Sequence, residues 1–241
     1  MKKILFVLVV FQMILAPGAF CAIAKIAKVK GDVFLRTKPT SSWEEAKPKT
    51  KLGVKSEIKT APGAKCFIIF DKAAKNVLSI EENSHIKIEN IKLGKIILNQ
   101  GRVFSRIGNI KAFKKSSRPF QIRTTTAIVG VTGTGFLTES KETKTSTACF
   151  EGEVSVTGLD TQGNEAQSEN LAKGFKVDAS SGAVGQPAQL IEQDYVQWNV
   201  FYETTKKIGT LIGGAAKAVG GVTDGARKAY EGSSGVNPFG R

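Results

Sequence analysis

Gly130-Val131-Thr132-Gly133-Thr134-Gly135 has the G-x-x-x-x-G spacing of a phosphate-binding loop. Such a loop needs Lys-Ser/Thr next, to supply a cation and a metal ligand, and Phe136-Leu137 stand there instead. Ser84-His85-Ile86-Lys87 fits the S-x-x-K pattern of an acyl-transfer nucleophile. Four residues match by chance too easily, and the partner motifs are missing. His85 is the only histidine, which rules out a histidine-rich zinc site, and no Cys or Asp cluster takes its place. The acidic pairs Glu44-Glu45 and Glu81-Glu82 fall in polar turns. A glycosidase would need two carboxylates facing each other across a cleft, and nothing in the pattern places them so. The expectation is a chain with no catalytic residue, no metal and no cofactor.

Two other groups of residues could act without catalysing anything. Cys66 and Cys149 each lie in an apolar, strand-like run. In an oxidising compartment they could form one disulfide, and in a core they would be inert buried thiols; spacing leaves both open. Lys111 to Ser117 (KAFKKSS) is a basic loop, and Lys111, Lys114, Lys115 and Arg118 form a candidate partner-contact surface. The formal net charge of +14 agrees with anionic partners, or with a plain lysine-rich surface.

The chain opens as an export signal. Met1-Lys2-Lys3 is a short basic segment, Ile4 to Leu15 is apolar but for Gln12, and Ala16-Pro17-Gly18 breaks any helix. Small residues follow, with cleavage sites after Ala24 or Ala22. Cys21 leaves with this segment, and loss of Lys2 and Lys3 lowers the net charge from +14 to +12. No later apolar run reaches the length of a membrane span. The expected location is periplasmic or secreted, which makes nucleic acid the least fitting anionic partner and leaves an envelope protein or acidic glycan.

The elements that would carry these residues are mostly strands. Val29, Val33 and Leu35 share one face of a single run from 29 to 36, and Lys30, Asp32 and Arg36 share the other. Further strands are expected at Cys66–Phe70, Val77–Ile80, Ile96–Leu98, Val103–Ile107, Phe120–Arg123, Ala127–Val131 and Phe136–Thr138. Others follow at Ala148–Phe150, Val154–Thr157 and Phe175–Val177. His85, Lys87 and Glu89 alternate with Ile86 and Ile88 and so lie on a charged face. Many short strands separated by turns predict an all-β domain, a sandwich, roll or solenoid.

Beyond it, Ile191, Tyr195, Trp198 and Tyr202 recur at helical spacing, a stripe that should pack on the β domain. From Lys206 the helical spacing continues, but Gly209, Gly213, Gly214, Gly220 and Gly221 each cost about 1 kcal/mol of helix propensity. The expected organisation is a signal at 1–24, a β domain at 25–178, a linker at 179–189, a helical segment at 190–232 and a disordered tail at 233–241.

Phe120-Gln121-Ile122-Arg123-Thr124-Thr125-Thr126-Ala127-Ile128-Val129-Gly130-Val131-Thr132-Gly133-Thr134-Gly135-Phe136 resembles the core of FecR-type domains, approximately F-x-V-x-T-P-x-A-x-x-G-V-R-G-T-E-F. Glu151-Gly152-Glu153-Val154-Ser155-Val156 is similar to that family's E-G-x-V-x-V strand, and Gly31 to Arg36 with Trp43 to its G-x-V-x-x-R opening and tryptophan. Ile58 to Ala64, Gln100 to Val103 and Leu171 to Gly174 match its remaining patterns in order. Thr125, Thr132 and Gly135 depart from it, standing where proline, arginine and glutamate are usual.

The resemblance implies an extracytoplasmic β module. The family's best-known members are transmembrane regulators that bind a cytoplasmic sigma factor, and a signal peptide would replace that cytoplasmic region. The expectation is therefore an exported, non-enzymatic FecR-like protein that binds a protein or glycan partner in envelope sensing or organisation, without anti-sigma activity. Its alternative is a membrane-associating envelope protein acting through the Gly/Ala-rich C-terminal helix, with peripheral membrane contact through the tail.

Overall fold

The structure is a computed structural model. It describes residues 24–113, 119–131 and 133–233, with side chains described as far as Ile212. The signal segment up to residue 23, Cys21, Thr132 and tail residues 234–241 lie outside the described residues.

The β domain is two layers of short strands stacked face to face. Across the first layer run β4 (Lys51–Leu52), β1 (Ala24–Lys30), β6 (Lys65–Ile69), β7 (Asn76–Ile80), the second half of β9 (Lys95–Ile107), β12 (Gly135–Lys141), β13 (Lys144–Glu151) and β16 (Phe175–Ser180). Across the second run β3 (Glu44–Glu45), β2 (Val33–Arg36), β5 (Glu57–Thr60), β8 (His85–Asn90), the first half of β9, β10 (Phe120–Arg123), β11 (Ala127–Val131), β14 (Glu153–Leu159) and β15 (Glu165–Ala172). Pairings are antiparallel except β9 with β10, which run parallel. The layers meet in one core: Ile26, Cys66 and Ile68 from the first face Val33, Ile58 and Ile86 from the second, all fully buried. Phe120 of β10 touches Phe136 of β12 across the gap, their ring centroids 6.5 Å apart.

Two chain crossings between layers were read from sequence in other ways. Residues 29–36 are not one strand. Lys30 ends β1 in the first layer, and the Gly31-Asp32 turn carries the chain into β2 of the second. Conversely, the separate runs 96–98 and 103–107 are one 13-residue strand, β9, which starts in the second layer and finishes in the first. The bend falls at Gly101, whose φ of +92° is left-handed and whose hydrogen faces Ser84; a Cβ there would sit 2.2 Å from the Ser84 hydroxyl oxygen.

Strand β15 carries no apolar alternation because both its faces are largely wet, and it is held by pairing with β14. Residues 179–189, expected as a linker, contain β17 (Ala183–Val184) and β18 (Ala188–Gln189), both paired to β16.

A helix, α1 (Glu192–Ser233), lies on the outer face of the first layer. It starts sharply because the Ile191 backbone N–H donates to the Asp194 carboxylate (2.9 Å), which also takes the Lys176 ammonium (2.9 Å). Trp198, Phe201 and Ile208 are buried against Phe67, Ile69, Val77, Phe104 and Phe150. The first layer is thus apolar on both faces, which is why β6 reads as the continuous run Cys66-Phe67-Ile68-Ile69 rather than an alternating one. Ile191, expected in the helical stripe, precedes the helix and is exposed, while Phe201 takes a buried place instead.

Candidate functional site

The outer face of the second layer gathers polar side chains that lie far apart in sequence. Arg36 on β2, Glu57 and Lys59 on β5, and His85 on β8 are brought together by strand pairing, which sets Arg36 opposite Glu57 and Lys59 opposite His85. Glu57 is almost fully buried and accepts from the Arg36 guanidinium and from His85 Nε2, each at 2.8 Å. The Asn99 carboxamide nitrogen lies 3.3 Å from His85 Nδ1, on the far side of the ring from Glu57. Burial raises the Glu57 carboxyl, but the Arg36 and His85 donors outweigh it and hold the group below its ordinary value.

Trp43, from the loop after β2, caps this cluster. The Arg36 guanidinium lies 4.7 Å and the Lys59 ammonium 4.6 Å from its ring centroid, and His85 meets it edge-on at 5.9 Å. Phe34 stands beside them, 43 % exposed. The carboxylate is taken up by the Arg36 and His85 donors. The cluster sets two cations and an indole beside an exposed phenyl.

Sequence spacing pointed to Arg36 and Trp43 through the family pattern and placed His85 on a charged face. It gave no sign of Glu57 as their common acceptor, because the pairing of β2, β5 and β8 has no local signal.

The residues singled out from sequence fall elsewhere. Lys111 is exposed in a 3-10 turn, Ile110–Ala112, while Lys114, Lys115 and Arg118 lie outside the described residues. The base of their loop is closed by Phe113 and Phe120, ring centroids 5.5 Å apart, both packed on Phe70. Cys66 and Cys149 are free and buried, so no bridge joins them. Burial pushes the Cys66 thiol up to about 12 and the Cys149 thiol up to about 11. Cys149 Sγ instead contacts the Glu151 and Gly152 carbonyls.

The motif stretch 120–136 has two jobs in the structure. Thr124 and Thr126 both share a hydrogen bond with the buried Thr145 hydroxyl, at 2.6 and 2.7 Å, tying the β10–β11 turn to β13 of the other layer. Gly135 lies under the helix: a Cβ there would stand 2.4 Å from Trp198 Cη2. The departure from the usual glutamate at this position makes room for Trp198, whose indole stacks on Phe150 at 4.7 Å and 2°. Arg106 beside it covers the Tyr202 ring at 4.7 Å and approaches Glu151 at 3.8 Å.

Comparison with known proteins adds the following. The FecR protein family model matches residues 56–155. No curated protein matches the chain. Two crystal structures of a protein described as a candidate anti-sigma factor, from Parabacteroides distasonis ATCC 8503, are similar at 15 % identity and a TM-score of 0.45. The alignment covers 59 % of this chain and 63 % of that one.

The family match overturns the expectation of a protein without anti-sigma activity. What the match supports is FecR-type signalling. From Ser56 through Ser155, the spine of both β layers, the chain carries a FecR domain match.

Proposed function

We propose that this protein is a non-catalytic regulator in FecR-type signal transduction, which receives a protein partner on the extracytoplasmic side of the envelope. The observation that carries this reading is the family match over residues 56–155, which spans the strands shared by the two layers. FecR-family proteins are membrane-anchored regulators with periplasmic domains. The export signal read at residues 1–24 agrees with that side of the membrane. Among the described residues no helix is long and apolar enough to cross a bilayer. The cluster of Arg36, Trp43, Lys59 and His85, with Phe34 beside it, offers cations and aromatic surface to an acidic protein or glycan face.

Deletion of the gene, followed by transcript profiling, tests the reading. A set of promoters sharing one sigma-factor recognition pattern should change expression and be restored by the full chain, but not by one carrying Arg36→Glu and Lys59→Glu. An unchanged transcript profile in the deletion strain would remove the signalling assignment.

A further inference from the structure

A groove runs along α1 on the outer face of the first layer, away from the cluster just described. Its floor is made by β1, β6 and the end of β7: Lys28 and Lys30, then Lys65 and Phe67, then Ser79 and, just past the strand, Glu81. Its wall is the helix, through Gln197, Val200, Phe201 and Thr204.

The charge is uneven. Glu81 pairs with Lys65 at 2.5 Å and takes the Ser79 hydroxyl at 2.7 Å, so its charge is spent inside the groove. Lys28 and Lys30 are exposed and, among the described residues, have no ion pair. The strand that carries them is also bare on one side: β4 pairs only with Ala24 and Lys25, leaving the outer edge of β1 without a neighbour from Lys28 onward.

The apolar surface continues out of the groove along the helix. Val196 and Val200, one helical turn apart, are 58 % and 61 % exposed on a helix whose other face is already buried in the domain. An amphipathic helix on a surface should turn one apolar stripe inward and polar residues outward. A second exposed apolar stripe that borders two unneutralised lysines departs from that rule in the way a contact surface does.

We infer that this groove binds an acidic segment of a partner protein, with apolar side chains set against Val196 and Val200 and carboxylates set against Lys28 and Lys30. Charge complementarity decides for that chemistry. A partner carrying cations would meet the two open lysines, whereas an anionic one gains both. A protein segment is favoured over a lipid surface because the lysines lie in a recess between strands and helix, with Val200 on its wall. This site deepens the regulatory reading, supplying a second face on which such a domain can be engaged.

The probe is a fluorescent amphipathic peptide with glutamates on one face and leucines on the other, compared with the same peptide carrying glutamine for glutamate. Binding to the full chain is read by fluorescence anisotropy at low and moderate salt. The glutamate peptide should bind at least tenfold more tightly than the glutamine one. Lys28→Glu with Lys30→Glu should abolish that preference, and Val200→Asp should weaken binding of both peptides about tenfold. Lys72→Glu and Lys92→Glu, in exposed turns far from the groove, should leave it unchanged.

Equal binding of the two peptides, or wild-type affinity in the Lys28/Lys30 variant, would overturn the proposal. So would the same lysine dependence appearing only with vesicles of anionic phospholipid or with acidic polysaccharide. Loss of groove binding without any change in the transcript profile would sink this site and leave the signalling assignment standing.

Discussion

Replacing Gly135 by alanine should loosen the helix from the β domain without touching the helix itself. The new methyl would stand 2.4 and 2.6 Å from Trp198 Cη2 and Cζ2, and 3.1 Å from a Glu151 carboxylate oxygen. Carbon atoms pack at about 3.5–4.0 Å, so the indole must withdraw by more than about 1 Å. It has nowhere to go without breaking its stack on Phe150 or its contact with Phe201. Overpacking of this kind costs roughly 1–3 kcal/mol. Against it, alanine in a strand regains roughly 0.5–1 kcal/mol over glycine, and the φ here is one alanine accepts.

The decisive experiment is a double-mutant cycle in urea, followed by far-UV circular dichroism. Trp198→Ala alone should cost about 3–5 kcal/mol. In that background Gly135→Ala should be neutral or slightly stabilising, giving a coupling of roughly 2 kcal/mol. If Gly135→Ala destabilises the Trp198→Ala protein as much as the wild type, the steric account of this position is wrong and the glycine serves the strand rather than the helix.

The Glu57 carboxylate makes stability depend on acid. Its folded-state value lies below the unfolded one, so its contribution is present above the unfolded value and is lost as pH falls through the folded value. The urea midpoint should fall on acidification below about pH 4.3, and Glu57→Gln should flatten that part of the profile while costing about 2 kcal/mol at neutral pH. A profile unchanged by the substitution would refute the role. The buried thiols should resist alkylation in the native state at pH 8 and react fully in denaturant without reductant. Mass spectrometry of the Cys66 and Cys149 peptides checks this, and a requirement for reductant would show a bridge.

Much of this architecture could be read from apolar patterning. The apolar runs at Cys66–Ile69 and Ala127–Val131 declared buried strands, and the spacing of Tyr195, Trp198 and Tyr202 declared a helix that docks. What could not be read was which layer each strand joins. Gly31 and Gly101 look alike in sequence, yet the first ends a strand and the second lets one continue into the other layer, because the outcome depends on Ala64 and Ser84 packed against them. The cluster around Glu57 was hidden for the same reason: Arg36, Glu57 and His85 sit on three strands whose register is set by the core on their opposite face. The polar β15 was invisible because its stability comes from backbone pairing, which leaves no mark on composition.

Strand β9 has partners on both sides of it in the chain: β7 and β8 are made before it, β10 and β12 after it. Neither layer can close until residues through Lys141 exist, however early the N-terminal strands are synthesised. A chain with this wiring has high contact order and gathers its native structure late and slowly. That delay keeps the growing polypeptide threadable for longer than a domain assembled from successive hairpins. A ribosome that stops before β12 releases a product whose β9 lacks one of its two first-layer neighbours, leaving an open strand edge for chaperones and proteases to find.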